Sequence, residues 1–262
     1  MQMSDSAASS SVNIPPLQIE ISAGYLRYVG SKMATLQGVN MCFPAGQWSC
    51  ILGRSGCGKT SLLRYMAGLL DQNVSWSGGL TTTPPQFDLK NNIAYMAQQD
   101  LLMPWLSVLD NVTLSEKFGN AISPFKKEEA LALLQKVGLF ESANSLPQKL
   151  SGGMRQRVAL VRTLMQNKSV ILMDEPFSAL DAVTRYRLQD LACELLKDKT
   201  VVLITHDPQE AIRLADRIYI MQGAPSSAEY LKVPDSLTPR KFDAECAQLQ
   251  QRIMASLEQE NA

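Results

Sequence analysis

Two short stretches carry glycines and hydroxyls at spacings suited to holding phosphate. The first, "GRSGCGKT" at residues 53–60, follows the apolar run "CIL" and opens a helix-forming segment, the context in which GxxxxGK[ST] is specific. Consecutive backbone N–H groups there wrap phosphate oxygens, and glycines permit the close approach. On this reading Gly53, Arg54, Ser55, Gly56, Cys57, Gly58 and Ser61 form the cradle. Lys59 brings charge to the β- and γ-phosphates of a nucleotide, and Thr60 offers a hydroxyl to Mg²⁺. A plain glycine-rich turn is the weaker reading. The second stretch, "LSGGMRQR" at residues 150–157, has no lysine. Ser151 can cap a helix whose apolar positions include Met154, Val158 and Val161, and Gly152 and Gly153 leave its first amides open to an anion. Taken alone, these residues are explained as well by an ordinary Ser-capped helix.

Two further groups stand at the ends of apolar runs. "VILMDEP" closes on Asp174 and Glu175, which cannot point the same way because side chains alternate along a strand. Asp174 fits the shell of Mg²⁺ through water, and Glu175 fits the polarisation of an attacking water. His206, the only histidine, ends "TVVLITH". A lone histidine is usually structural, but ligands collect at the carboxyl ends of parallel strands, where this one can reach a γ-phosphate or the attacking water.

These residues need a parallel sheet to bring them together. "QWSCILG", "NIAYMA", "SVILMDE", "TVVLITH" and "RIYIMQG" are short β-branched-rich runs separated by helical stretches, as buried parallel strands are. Before them, alternation in "LQIEIS" and a turn at "PAG" predict antiparallel strands. Helices are expected over 59–70, 127–137, 154–166, 182–196 and 208–215. The domain reading is a disordered Ser-rich tail at 1–14, an α/β unit at 15–223 with a helical subdomain inserted at about 100–166, and an extension at 224–262 with one amphipathic helix. Phe242, Cys246, Leu249, Ile253 and Leu257 share a face of that helix, either docked on its own domain or open to a partner.

Composition narrows the function classes. The 262 residues are 45% hydrophobic and 19% charged, and Lys plus Arg equals Asp plus Glu at 25 each. A net charge of zero spreads no field toward polyanions, so no nucleic-acid partner is expected. No run approaches the roughly 20 apolar residues of a membrane span, and no signal peptide is read at the start. The five cysteines lack disulfide or metal-ligand spacing.

Taken together, "GRSGCGKT", Gln98, "LSGGMRQR", "ILMDEP", "SALD" and His206, in this order, resemble the nucleotide-binding subunit of an ATP-binding cassette (ABC) transporter over about residues 17–223. The resemblance implies a phosphate-loop ATPase fold and a head-to-tail homodimer. Each ATP then lies between the phosphate loop of one subunit and Ser151, Gly152 and Gly153 of the other, with Mg²⁺ as cofactor. It makes Tyr28 in "LRYVG" the aromatic stacked on adenine, with Tyr25 as the neighbour to weigh against it. It further makes Gln98 a contact of Mg²⁺ and the attacking water, Asp181 the loop joining the two sites, Glu175 the general base and His206 the switch residue.

A cassette of this kind is similar to bacterial importer subunits on the cytoplasmic face of the inner membrane. Separate permease subunits and a solute-binding protein complete such a machine. By resemblance, Leu101, Leu102, Met103 and Trp105 lie against a permease helix, although this apolar run fits subdomain core equally. "LLMPWLSVLDNV" and "DEPFSALDAVTR" are similar to the nitrate, sulfonate and taurine group, and within it "QQDLLMPWL" and "HDPQEAIRLADRIY" look more like the thiamine-precursor (hydroxymethylpyrimidine) branch. The rivals are a soluble cassette ATPase acting on ribosomes or DNA, and a small-molecule kinase. The kinase leaves residues 151–153 and His206 unexplained.

Overall fold

The structure, a computed structural model, describes residues 15–70, 72–117 and 123–258. The segment read as a disordered tail lies outside the described residues. The chain enters through β1 (Gln18–Tyr28) and β2 (Leu36–Phe43), then β3 (Trp48–Gly53), α1 (Lys59–Met66) and β4 (Val74–Thr83). β4 returns antiparallel to β1 and completes a sheet of order β2-β1-β4. β5 (Ile93–Met96) follows, and the chain then turns helical through α2 (Val108–Val112), α3 (Leu114–Lys117), α4 (Pro124–Lys136) and α5 (Gly152–Met165). Strand and helix alternate again through β6 (Val170–Asp174), α6 (Ala182–Leu195), β7 (Thr200–Ile204), α7 (Pro208–Leu214) and β8 (Arg217–Gln222), before β9 (Ser227–Leu231) and α8 (Ala244–Glu258).

The larger sheet has the order β5-β6-β7-β3-β8-β9, parallel from β5 to β8 with β9 antiparallel at the edge. Because side chains alternate along a strand, its two faces feed two cores. Cys50, Leu52, Met96, Ile171, Met173, Val201 and Leu203 join the helices after β5 and α6 to α8 in one. Ile51, Val170, Leu172, Val202 and Ile204 join α1 and the antiparallel sheet in the other. Four adjacent parallel strands, β5, β6, β7 and β3, therefore end side by side, each leading into one of the candidate site segments.

Some expectations need correction. The region after residue 223 contributes β9 as well as a helix, so the hairpin from β8 carries the main sheet past that boundary. In α8, Cys246, Leu249 and Ile253 are buried, and Gln222 Nε2 donates to Ser256 O at 3.0 Å, so this helix docks on its own domain. Phe242 precedes the helix and is exposed, so it leaves the predicted face. α1 is shorter than expected because Gly68 adopts φ 72° and ends the turn.

Candidate functional site

The phosphate loop is shaped by its glycines. Gly53 has φ 155°, and a Cβ there would stand 2.5 Å from Met221 O. Gly58, the N-cap of α1, has φ 93°, and its Cβ would meet Thr35 and Leu36 at 2.8 Å. Lys59 is buried, and its Nζ donates to Gly53 O at 2.8 Å and Arg54 O at 2.7 Å. The ammonium is thus held over the loop by neutral acceptors that a phosphate oxygen outcompetes, because it brings an opposite full charge to the ammonium. Tyr28 OH and Ser61 Oγ are 2.8 Å apart, which ties the predicted adenine-side aromatic to the start of α1. Both tyrosines lie in the β1–β4 ladder, Tyr25 opposite Ser77 and Tyr28 opposite Val74.

Asp174 ends β6, buried, with its Oδ2 accepting from Thr60 Oγ1 at 2.7 Å. Desolvation pushes its carboxyl above the usual range, while the Thr60 bond acts against the shift. Thr60, Asp174 and the Gln98 amide offer oxygen ligands only, the donor set of a hard divalent cation, and a cation there would offset the burial of the Asp174 charge.

Glu175 leaves the strand at φ 50°, a left-handed conformation costing about 1–3 kcal/mol outside glycine. Its N–H donates to Ile204 O at 2.9 Å, which fixes the turn. The turned carboxylate is the meeting point of three strand ends: Oε2 lies 3.2 Å from Gln98 Nε2 and 3.2 Å from His206 Nδ1. The Glu175 carbonyl accepts from Ser178 Oγ at 3.0 Å and Gln156 Nε2 at 3.4 Å, linking it to the "SALD" turn and to α5.

Ser151, Gly152 and Gly153 lie at the start of α5 and turn outward. Ser151 Oγ accepts from Met154 N at 3.2 Å, and Ser151 and Gly152 are exposed. Asp181 likewise caps α6, its Oδ1 accepting from Thr184 N at 3.0 Å, and that bond holds its carboxyl below the usual range. The structure thus gathers Lys59, Thr60, Gln98, Asp174, Glu175 and His206 at one sheet edge and presents the Ser-Gly-Gly segment as a separate surface.

Of the proposed permease contacts, Leu102 is corrected: at 9% exposure it belongs to the helical core, drawn inward as the chain enters α2. Leu101 and Trp105 are 55% and 71% exposed. Sequence reasoning missed the residues that hold this loop. Asn111, fully buried, accepts from Met103 N at 2.8 Å and donates to the Met103, Leu106 and Ser107 carbonyls. Arg155 pairs with Asp100 at 2.9 Å, and Arg162 Nη1 donates to Leu101 O at 2.8 Å, which anchors the loop to α5. Asn111 is a polar residue among Val108, Leu109 and Val112, and its type alone gives no such signal.

Comparison with known proteins agrees with this geometry. A family model described as "ABC transporter" matches residues 36–178. An uncharacterized ABC transporter ATP-binding protein of Haemophilus influenzae is 43% identical over 223 residues, covering 84% of this chain and 90% of the relative. The aliphatic sulfonates import ATP-binding protein SsuB 1 of Paracoccus denitrificans is 39% identical, covering 85% of this chain and 87% of its own. Among solved structures, the dimeric post-hydrolysis state of the ATP-binding cassette MJ0796, bound to ADP and Pi, superposes with a TM-score of 0.71 at 29% identity, covering 83% of this chain and all of that one.

Proposed function

The chain belongs to the ATP-binding subunits of the ABC transporter family, and from that premise we propose that it drives a bacterial importer through two ATP sites shared head to tail between copies of itself. Its ATPase reaction converts ATP and water to ADP and phosphate. The observation that carries the shared-site reading is the split just described: Glu175 is assembled with Gln98 and His206 behind the phosphate loop, while Ser151 and Gly152 face outward at the start of α5. A solved relative in dimeric form with ADP and Pi supports it.

Within one site, the loop amides and Lys59 bind the phosphates, and Tyr28 packs on the adenine. Mg²⁺ held by Thr60, Gln98 and water on Asp174 would neutralise phosphate charge. Both protein contacts of the Glu175 carboxylate fall on Oε2, which leaves Oε1 to take the proton of an attacking water. The outward amides of residues 151–153 meet the γ-phosphate of the opposing copy, so closure of the pair depends on ATP. Asp181 lies in the turn between the sites.

No described helix is long and apolar enough to cross a membrane, and in this reading, supported by the importer relative, a separate permease supplies the passage. The cassette then docks peripherally on its cytoplasmic side through exposed Leu101 and Trp105 with Met103 beside them. For the solute, the sulfonate importer relative supports an organic sulfonate, taurine included, with nitrate in the same group. The "QQDLLMPWL" stretch supports a thiamine-precursor pyrimidine as a second reading. The test is ATPase activity of the cassette reconstituted with its genomic neighbour permease and binding protein. Stimulation by alkanesulfonates, with hydroxymethylpyrimidine and nitrate inert, is the expected result. Stimulation by the pyrimidine selects the second reading, and stimulation only by ribosomes or DNA overturns the importer assignment.

A further inference from the structure

Behind His206 lies a buried polar chain that the mechanism has not used. His206 itself is exposed, and its position depends on the turn that carries it. Asp207 N donates to Thr205 Oγ1 at 3.1 Å across that turn, and the Thr205 side chain lines the same small cavity as the Glu210 carboxylate of α7, whose pKa it lowers. Gln189 Nε2, from α6, donates to Glu210 Oε1 at 2.8 Å. Arg213 Nη1 donates to Gln189 Oε1 at 2.9 Å, Arg213 Nη2 pairs with Asp190 Oδ1, and the guanidinium lies 4.1 Å over the Tyr186 ring. Thr205, Gln189, Glu210 and Arg213 are all buried.

The polarity of this chain has one solution. Arg213 carries donors only, so the Gln189 oxygen must face it, and the Gln189 NH₂ must then face an acceptor. Thr205 Oγ1 already accepts from Asp207 N, so its own proton needs an acceptor too. Both demands end on Glu210. Burial pushes its carboxyl above the usual range, and Thr205 and Gln189 oppose that shift. A half-satisfied buried polar network is costly to keep, and no buried side-chain nitrogen or oxygen of Thr205, Gln189, Glu210 or Arg213 is left without a partner.

We propose that Glu210 is a positioning residue for hydrolysis: as the terminal acceptor of this chain it locks the 205–207 turn that presents His206 to Glu175, and it ties that turn to α6, the helix that begins after Asp181. The proposal rests on His206 acting at the γ-phosphate or the attacking water. Glu210→Gln keeps the shape but replaces an acceptor with a donor. Gln189 cannot answer by flipping, because its NH₂ would then face Arg213.

The test exploits the single histidine of the sequence, whose ring Cε1–H gives one NMR signal in the untagged full chain. Glu210→Gln and Thr205→Val should broaden or displace that signal and lower kcat about 10- to 100-fold, the scale of a small misplacement of a reacting group. ATP affinity should stay within about twofold, because the phosphate loop is untouched. Thr205→Ser keeps the hydroxyl and should match the wild type, and it serves as the comparison if Glu210→Gln does not fold. An unchanged His206 signal in Thr205→Val, or an unchanged kcat in either variant, overturns the proposal. If His206→Ala retains full kcat, the role assigned to His206 fails instead, and the NMR arm still reads whether Glu210 fixes the ring.

Discussion

The two Ser/Gly clusters look alike as strings and differ as structures. The phosphate loop is fully determined within this chain: at Gly53 and Gly58 a Cβ would collide, Lys59 is buried on its own loop carbonyls, and Thr60 already touches Asp174. The Ser-Gly-Gly segment is determined only from behind. α5 is anchored through Arg155 to Asp100 and through Gln156 to the Glu175 carbonyl, while Ser151 and Gly152 face outward. In the proposed dimer, one cluster is the half that binds a copy's own nucleotide, and the other is the half that meets the nucleotide of the opposing copy. The helix that carries the second is bonded to the Glu175 carbonyl, whose side chain is the proposed base, and to the loop proposed to meet the permease, so the outward surface has a short hydrogen-bonded route to both.

The largest expected effects separate the clusters by what is lost. Lys59→Ala should abolish turnover together with nucleotide affinity of the monomer. Ser151→Arg should abolish turnover while that affinity, read by a fluorescent ATP analogue, stays unchanged. Mixing the two dead variants should restore activity, because the mixed pair contains one site with both wild-type halves; two sites each built within one chain give no rescue.

Glycine replacements should sharpen the contrast on the folding side. Gly53→Ala places a Cβ 2.5 Å from Met221 O at φ 155° and should cost about 2 kcal/mol or more in denaturant titration. At Gly152 the nearest atom to a Cβ is Arg155 Nη2 at 3.9 Å, so Gly152→Ala should leave stability unchanged or raise it by about 0.5–1 kcal/mol. Turnover should nevertheless fall, through the site on the opposing copy.

Asp174 gives a smaller effect of opposite sign. A carboxyl whose folded pKa is raised binds protons more tightly in the folded state. Stability is therefore lost as pH rises from the unfolded value through the folded one. Asp174→Asn should raise the melting temperature of the nucleotide-free protein at neutral pH while turnover with Mg²⁺ is lost. Melting curves across acid and neutral pH check this, since the difference should close as the pH falls through that window. The smallest change is Tyr28→Phe, which removes only the bond to Ser61 and should cost about 1 kcal/mol of stability with ATP affinity kept, whereas Tyr28→Ala should weaken ATP by up to about tenfold.

The sequence made the catalytic strands readable because each pairs a short apolar run with a chemically distinctive terminus: Lys59, Asp174 with Glu175, His206. Their proximity followed from the parallel order, which the alternation of strand and helix implied. What stayed hidden lacks local signal. β4, "VSWSGGLTTT", is half-buried and glycine-rich, and becomes a strand only because β1 offers it an edge. β9 owes its place to pairing with β8. Arg240 is buried, where its Nη1 caps α7 through the Ile212 carbonyl at 2.9 Å, a contact set by tertiary packing and by no spacing in the chain. Glu210, Gln189 and Asn111 read as ordinary polar helix positions until the fold surrounds them. Leu102 and Trp105 sit three residues apart in one apolar run, and only the entry into α2 turns the first inward and the second out.

The shared-site reading stands or falls on the behaviour of Glu175→Gln, in which ATP binds but the water is no longer activated. Sedimentation of this variant should show a monomer without nucleotide and a stable dimer with ATP. Adding Ser151→Arg should return it to a monomer that still binds ATP with unchanged affinity. A dimer that persists in the double variant, or an affinity that falls with Ser151→Arg in the monomer, would place the Ser-Gly-Gly segment in its own chain's site and contradict the reading.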